Sequence, residues 1–123
     1  MKEIQNKEGI KMLRLLQDDS TKTVTAQICG ELDHHIAKQI REEIDVTCQR
    51  TEPEELILDF SELSFMDSSG IGLIMGRYRM MQLLSGRVTI VGAAPQIKKV
   101  LQLSGISELV GFKERKERNG KGR

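Results

Sequence analysis

The chain has 123 residues, 38% of them hydrophobic, a size and composition that suit one domain around a single core. With 19 Lys+Arg against 18 Asp+Glu the formal net charge is +1, so no overall field favours nucleic acid or a membrane surface. Aromatic content is 3% with no Trp, which argues against a stacking platform for bases or sugars.

Met1–Gly9 is a polar N-terminal segment. Residues 10–16 are apolar enough for a strand, though they alternate poorly. Residues 23–29 alternate well, with Val24, Ala26 and Ile28 on one face, and the two strands form an expected N-terminal hairpin across Asp18-Asp19-Ser20. Gly30-Glu-Leu-Asp33 breaks that pattern, and Asp33 is placed to cap a helix over roughly 34–50, which Glu52-Pro53 ends. The run at 56–60 reads as a buried strand. A short polar turn then puts Ser68 and Ser69 at the start of a helix running to about Leu84, where Ser85-Gly86 stops it. Val88–Val91 is another buried strand. Pro95 opens a third helix, Gly105 closes it, and Ile106–Phe112 reads as a short helix, an edge strand or both. Strand-helix alternation through the middle predicts an α/β layer fold. Right-handed crossovers make the strands at 24–29, 56–60 and 88–91 parallel, beside an antiparallel N-terminal strand.

The domain is thus expected over 10–112. From Lys113 to Arg123 there are six basic and two acidic residues, a local charge of +4 that reads as a solvated, flexible tail, with an electrostatic docking arm as the alternative. Cys29 and Cys48 have no Cys-x-x-Cys spacing and read as reduced thiols. No apolar run approaches the length of a membrane span and the charged start lacks a signal-peptide core, so a cytoplasmic protein is expected.

The chemistry of the chain concentrates in Leu63-Ser-Phe-Met-Asp-Ser-Ser-Gly-Ile-Gly72. A hydroxyl at a helix start can cap free backbone N–H groups, and the same groups and the helix dipole favour an added phosphate. A serine here can therefore be a cap, a nucleophile or a phosphorylation site. A nucleophile elbow needs Gly-x-Ser-x-Gly, but the residue two before Ser68 is Met66. The two histidines, His34 and His35, are neighbours that point in different directions from a helix, which disfavours both a Ser-His pair and a metal chelate. No Walker loop is present. Gly70, Gly72 and Gly76 each cost about 1 kcal/mol relative to Ala in a helix, so they imply either close packing on the sheet or a smooth exposed face beside Ser68. A phosphate on Ser68 would add roughly −1.5 to −2 charge next to Asp67 and obstruct a partner lying flat on this turn.

Gly30-Glu-Leu-Asp-His-His-Ile-Ala37, the serine segment and Gly76-Arg-Tyr78 together resemble the bacterial anti-sigma factor antagonists of the STAS domain family, most closely the sporulation branch of the sigma-F pathway. The resemblance runs from about Thr23 to Phe112 and implies a mixed, mostly parallel sheet of about five strands with about four helices, without catalysis or a cofactor of its own. It implies binding to an anti-sigma factor that is also an ATP-dependent serine kinase, with release of the sigma factor. It further implies phosphorylation on Ser68 that switches binding off, and restoration by a PP2C-type phosphatase. The resemblance also implies that Asp33 lies near the phospho-site and contacts the partner; with the exposed glycine face, the candidate partner-binding residues are Asp33, Asp67, Ser69, Gly70, Gly72 and Gly76, with Ser69 as a helix cap or neighbour. Direct contact with nucleic acid or membrane is not expected. The alternative is a STAS-like regulatory module of a stress-signalling or transporter complex.

Overall fold

The computed structural model describes residues 1–4 and 9–114. Eight strands and three α-helices follow in order: β1 (Lys2–Ile4), β2 (Leu13–Asp18), β3 (Thr23–Ile28), β4 (Gly30–Leu32), α1 (His34–Thr51), β5 (Glu55–Asp59), β6 (Leu63–Met66), α2 (Ser68–Leu83), β7 (Arg87–Val91), α3 (Pro95–Leu103) and β8 (Gly111–Lys113), with a 3-10 turn at Ile106–Glu108 between the last two. Six strands form one sheet in the order β1-β2-β3-β5-β7-β8, and β4 and β6 form a separate two-stranded ribbon. β1-β2 and β2-β3 are antiparallel, while β3-β5, β5-β7 and β7-β8 are parallel.

Register explains why the core forms on one face. Val24 lies opposite Leu56 and Leu56 opposite Val88, and the next row is Ala26, Leu58 and Ile90. All six are buried, and they share one cluster with Ile40 and Ile44 of α1, Leu73, Ile74 and Met81 of α2, and Ile97 and Leu101 of α3. The alternate positions Thr25, Ile57 and Asp59 are half-buried, as expected for a sheet covered by helices on one side.

The parallel strands, the antiparallel hairpin and the three α-helices fall where the pattern predicts them. The element counts agree roughly with the expectation. The main sheet has six strands rather than about five, because Lys2–Ile4 within the polar N-terminal segment pairs with β2. Among the described residues there are three α-helices, and Ile106–Phe112 holds both the short 3-10 helix and the start of the edge strand β8, the two elements expected there. The basic tail begins inside β8 at Lys113, and Glu114 meets Lys98 at 3.4 Å; its remainder, residues 115–123, lies outside the described residues.

The helix layer contains a partly buried ion pair that composition does not reveal. Arg77 of α2 is buried, and its Nε lies 2.8 Å from Oδ1 of Asp45 on α1, with Arg77 Nη1 donating to the Leu73 carbonyl at 3.3 Å. Neither of the two facing atoms has a partner in hydrogen-bond geometry, so the contact is one of charge. Burial raises the pKa of Asp45 and lowers that of Arg77, with the mutual attraction acting the other way in each. The same burial pushes the Cys48 thiol up to about 12, and both cysteines are free.

Candidate partner-switching site

Two strand-Asp-helix junctions are set side by side by the small ribbon. β4 pairs in parallel with β6 through Gly30–Leu63, Glu31–Phe65 and Leu32–Met66. Each strand is followed at once by an aspartate that caps a helix. Asp33 accepts from the backbone N–H of His35 at 2.9 Å and of Ile36 at 3.3 Å, capping α1. Asp67 accepts from the backbone N–H of Ser69 at 2.9 Å, capping α2. A backbone bond from Asp67 N to the Leu32 carbonyl at 3.3 Å ties the two junctions together. The positive φ of Gly30, +86°, lets the chain turn out of β3 into the ribbon, where Gly30 N donates to the Glu62 carbonyl at 3.0 Å.

The two serines are now distinct. The Ser69 hydroxyl donates a short hydrogen bond to Asp67 Oδ1, the oxygen that also accepts from the Ser69 N–H. The helix cap is therefore Asp67, with Ser69 as its neighbour. Ser68 is exposed at the first position of α2, and among the described residues no partner holds its hydroxyl. The two bonds from Ser69 lower the pKa of Asp67, with a further contribution from His34, so the carboxylate is charged at neutral pH. His34 Nδ1 lies 4.0 Å from Asp67 Oδ2 and His35 Nδ1 3.8 Å from Asp33 Oδ1, the two rings tilted by 35° with their centroids 4.1 Å apart. The imidazoles thus face carboxylates. Among the described residues no group of three or more His, Cys, Asp or Glu side chains is arranged to hold a metal ion.

The three glycines separate into the two readings their spacing left open. A Cβ at Gly70 would overlap the Met66 side chain and sit 3.3 Å from Leu32, so Gly70 is there for close approach of α2 to the ribbon. A Cβ at Gly72 or Gly76 would meet nothing within 4 Å, so these two leave an open face on α2.

One feature was not legible from residue type alone. Phe65 is 48% exposed, in the strand that leads into Asp67. Its signal lay in the segment Leu63-Ser-Phe-Met, whose spacing reads as a turn until the ribbon pairing is known.

A family model described as the STAS domain matches residues 5–118. An anti-sigma F factor antagonist of Lysinibacillus sphaericus is 40% identical over 84 residues, covering 68% of this chain and 72% of that one. Its counterpart from Paenibacillus polymyxa is 34% identical over the same length and coverage. The structure of the anti-sigma factor antagonist SpoIIAA in its unphosphorylated form superposes with a TM-score of 0.74 at 34% identity, covering 89% of this chain and 92% of that one. The structure of the Bacillus cell fate determinant SpoIIAA in the phosphorylated form gives a TM-score of 0.68 at 34% identity, covering 89% and 96%.

Proposed function

This chain belongs to the STAS domain family as an anti-sigma factor antagonist, and from that premise we propose that Ser68 is the phosphoacceptor of a partner switch. Unphosphorylated, the protein binds an anti-sigma factor that is also an ATP-dependent serine kinase, and so frees a sigma factor for sporulation transcription in the cytoplasm. Phosphoryl transfer to the Ser68 hydroxyl ends that binding, and a PP2C-type phosphatase reverses it. The chain itself contributes no catalytic group.

The observation that carries the choice of serine is the asymmetry at the α2 start: Ser69 is tied to Asp67 through both its hydroxyl and its N–H, whereas Ser68 is exposed and, among the described residues, unheld. Asp33, Asp67, Ser69 and the Gly72/Gly76 face supply the surrounding contact surface, and Gly70 keeps α2 seated against the ribbon. A phosphate on Ser68 meets the positive end of the α2 dipole, which makes it tolerable within the chain. A partner lying over it would have to desolvate a dianion beside Asp67, which explains release.

Incubation with ATP and the anti-sigma F factor of Lysinibacillus sphaericus, followed by mass-spectrometric mapping, tests the assignment. Phosphate appears on Ser68 in the wild type and in Ser69→Ala, and is absent in Ser68→Ala. Phosphate on Ser69 in the wild type contradicts it.

A further inference from the structure

Phe65 is a large apolar side chain turned outward by a specific backbone device. Leu63 and Phe65 are two residues apart, so a regular strand would place them on the same face. Leu63 is 3% exposed, yet Phe65 is 48% exposed. The pairing explains the difference: Gly30 lies opposite Leu63 and Glu31 opposite Phe65, so Ser64 is an extra residue and the register shifts between Gly30 and Glu31. A bulge of this kind re-aims the side chains that follow it. Here it is held by the Ser64 hydroxyl, which donates to the Gly30 carbonyl at 3.0 Å. In a chain with only three phenylalanines, Phe60 is fully buried and Phe112 packs against the core, which leaves Phe65 as the ring presented to solvent.

We infer that Phe65 is the anchor that the anti-sigma factor grips, its ring entering an apolar recess of that partner. The inference rests on the reading of Ser68 as the switch. The occupant follows from continuity: Phe65 stands two residues before the Asp67 cap and three before Ser68, so a partner released by phosphate on Ser68 also covers the ring. Aromatic side chains that fill a partner's recess carry a disproportionate share of binding energy. Such contacts are also short-ranged, since a gap of roughly 1 Å forfeits up to about half of the dispersion attraction. A phosphate that lifts the partner off Ser68 therefore withdraws the recess from Phe65 at the same time. The anchor makes the switch steep without any change of fold in this chain.

Calorimetric titration with the anti-sigma F factor of Lysinibacillus sphaericus and ADP, so that no phosphoryl transfer occurs, tests this with Phe65→Ala, Phe65→Leu, Ser68→Asp and Leu83→Ala. Leu83 is an exposed residue at the far end of α2 and controls for loss of any surface apolar group. Phe65→Ala is expected to weaken binding by about tenfold or more, Phe65→Leu by less, and Leu83→Ala by no more than about twofold. A thermal midpoint for Phe65→Leu equal to that of the wild type assigns its loss to the interface. If Ser68→Asp loses binding while both Phe65 variants bind within about twofold of the wild type, the anchor is wrong and the switch stands. If the wild type does not bind, or Ser68→Asp binds as well as it does, the reading of Ser68 falls and the anchor with it.

Discussion

At the scale of single residues, the site depends on Asp67 doing two things with one carboxylate. Its Oδ1 caps α2 through the Ser69 N–H and also accepts from the Ser69 hydroxyl, which among the described residues leaves the Ser68 hydroxyl unengaged. Removing it in Asp67→Ala should lower stability through the lost cap, read as a lowered urea midpoint. The pH dependence has a definite sign. The folded pKa of Asp67 lies below the ordinary carboxylate value, so its contribution is complete above that value and is lost as pH falls through the lowered one. Wild type and Asp67→Ala should therefore converge in thermal midpoint as the pH is taken below about 4. A gap that stays constant through that range would mean the side chain acts by packing and not as a charged cap.

At the scale of elements, α2 has one face built for the fold and one left open. Gly70 sits where a Cβ would overlap Met66, so Gly70→Ala should destabilise the protein by about 1–3 kcal/mol through forced displacement of that side chain. Gly72→Ala and Gly76→Ala meet only open space, and each should stabilise the helix by up to about 1 kcal/mol. Their effect on partner affinity should run the opposite way, with a more stable protein that binds less well. Urea unfolding and a binding titration on the same three variants separate the two roles. Much of the element order is readable from the sequence, since the Asp33 cap, the Pro95 start and the parallel strands at 56–60 and 88–91 all follow from spacing and breakers. The β4-β6 ribbon was not. Its strands are three and four residues long, and their pairing depends on two segments more than thirty positions apart, which local pattern does not encode. Phe65 was hidden for the same reason, because only the bulge turns it outward.

At the scale of the whole molecule, a one-sided sheet depends on its helix layer, and the Asp45–Arg77 pair joins α1 to α2 within that layer. The side chain of Arg77 is 6% exposed and that of Asp45 28%, so the two are not equivalent. Asp45→Ala strands the more deeply buried charge and should cost about 3 kcal/mol or more, whereas Arg77→Met leaves a carboxylate that water still reaches and should cost less. Combining Arg77→Met with Asp45→Leu should recover most of the loss, since desolvation opposes both charges. Equal costs for the two single variants would show that the pair is not the unit that joins the helices.

The central claim is that one phosphate on Ser68 ends binding to the anti-sigma factor, and the most direct test is a comparison of two affinities. The protein is prepared unphosphorylated and stoichiometrically phosphorylated on Ser68, and each form is titrated into the anti-sigma F factor of Lysinibacillus sphaericus with ADP. The account predicts tight binding by the first form and an affinity lower by about a hundredfold or more for the second, the cost of desolvating the dianion and losing the apolar contact together. Equal affinities for the two forms would contradict it.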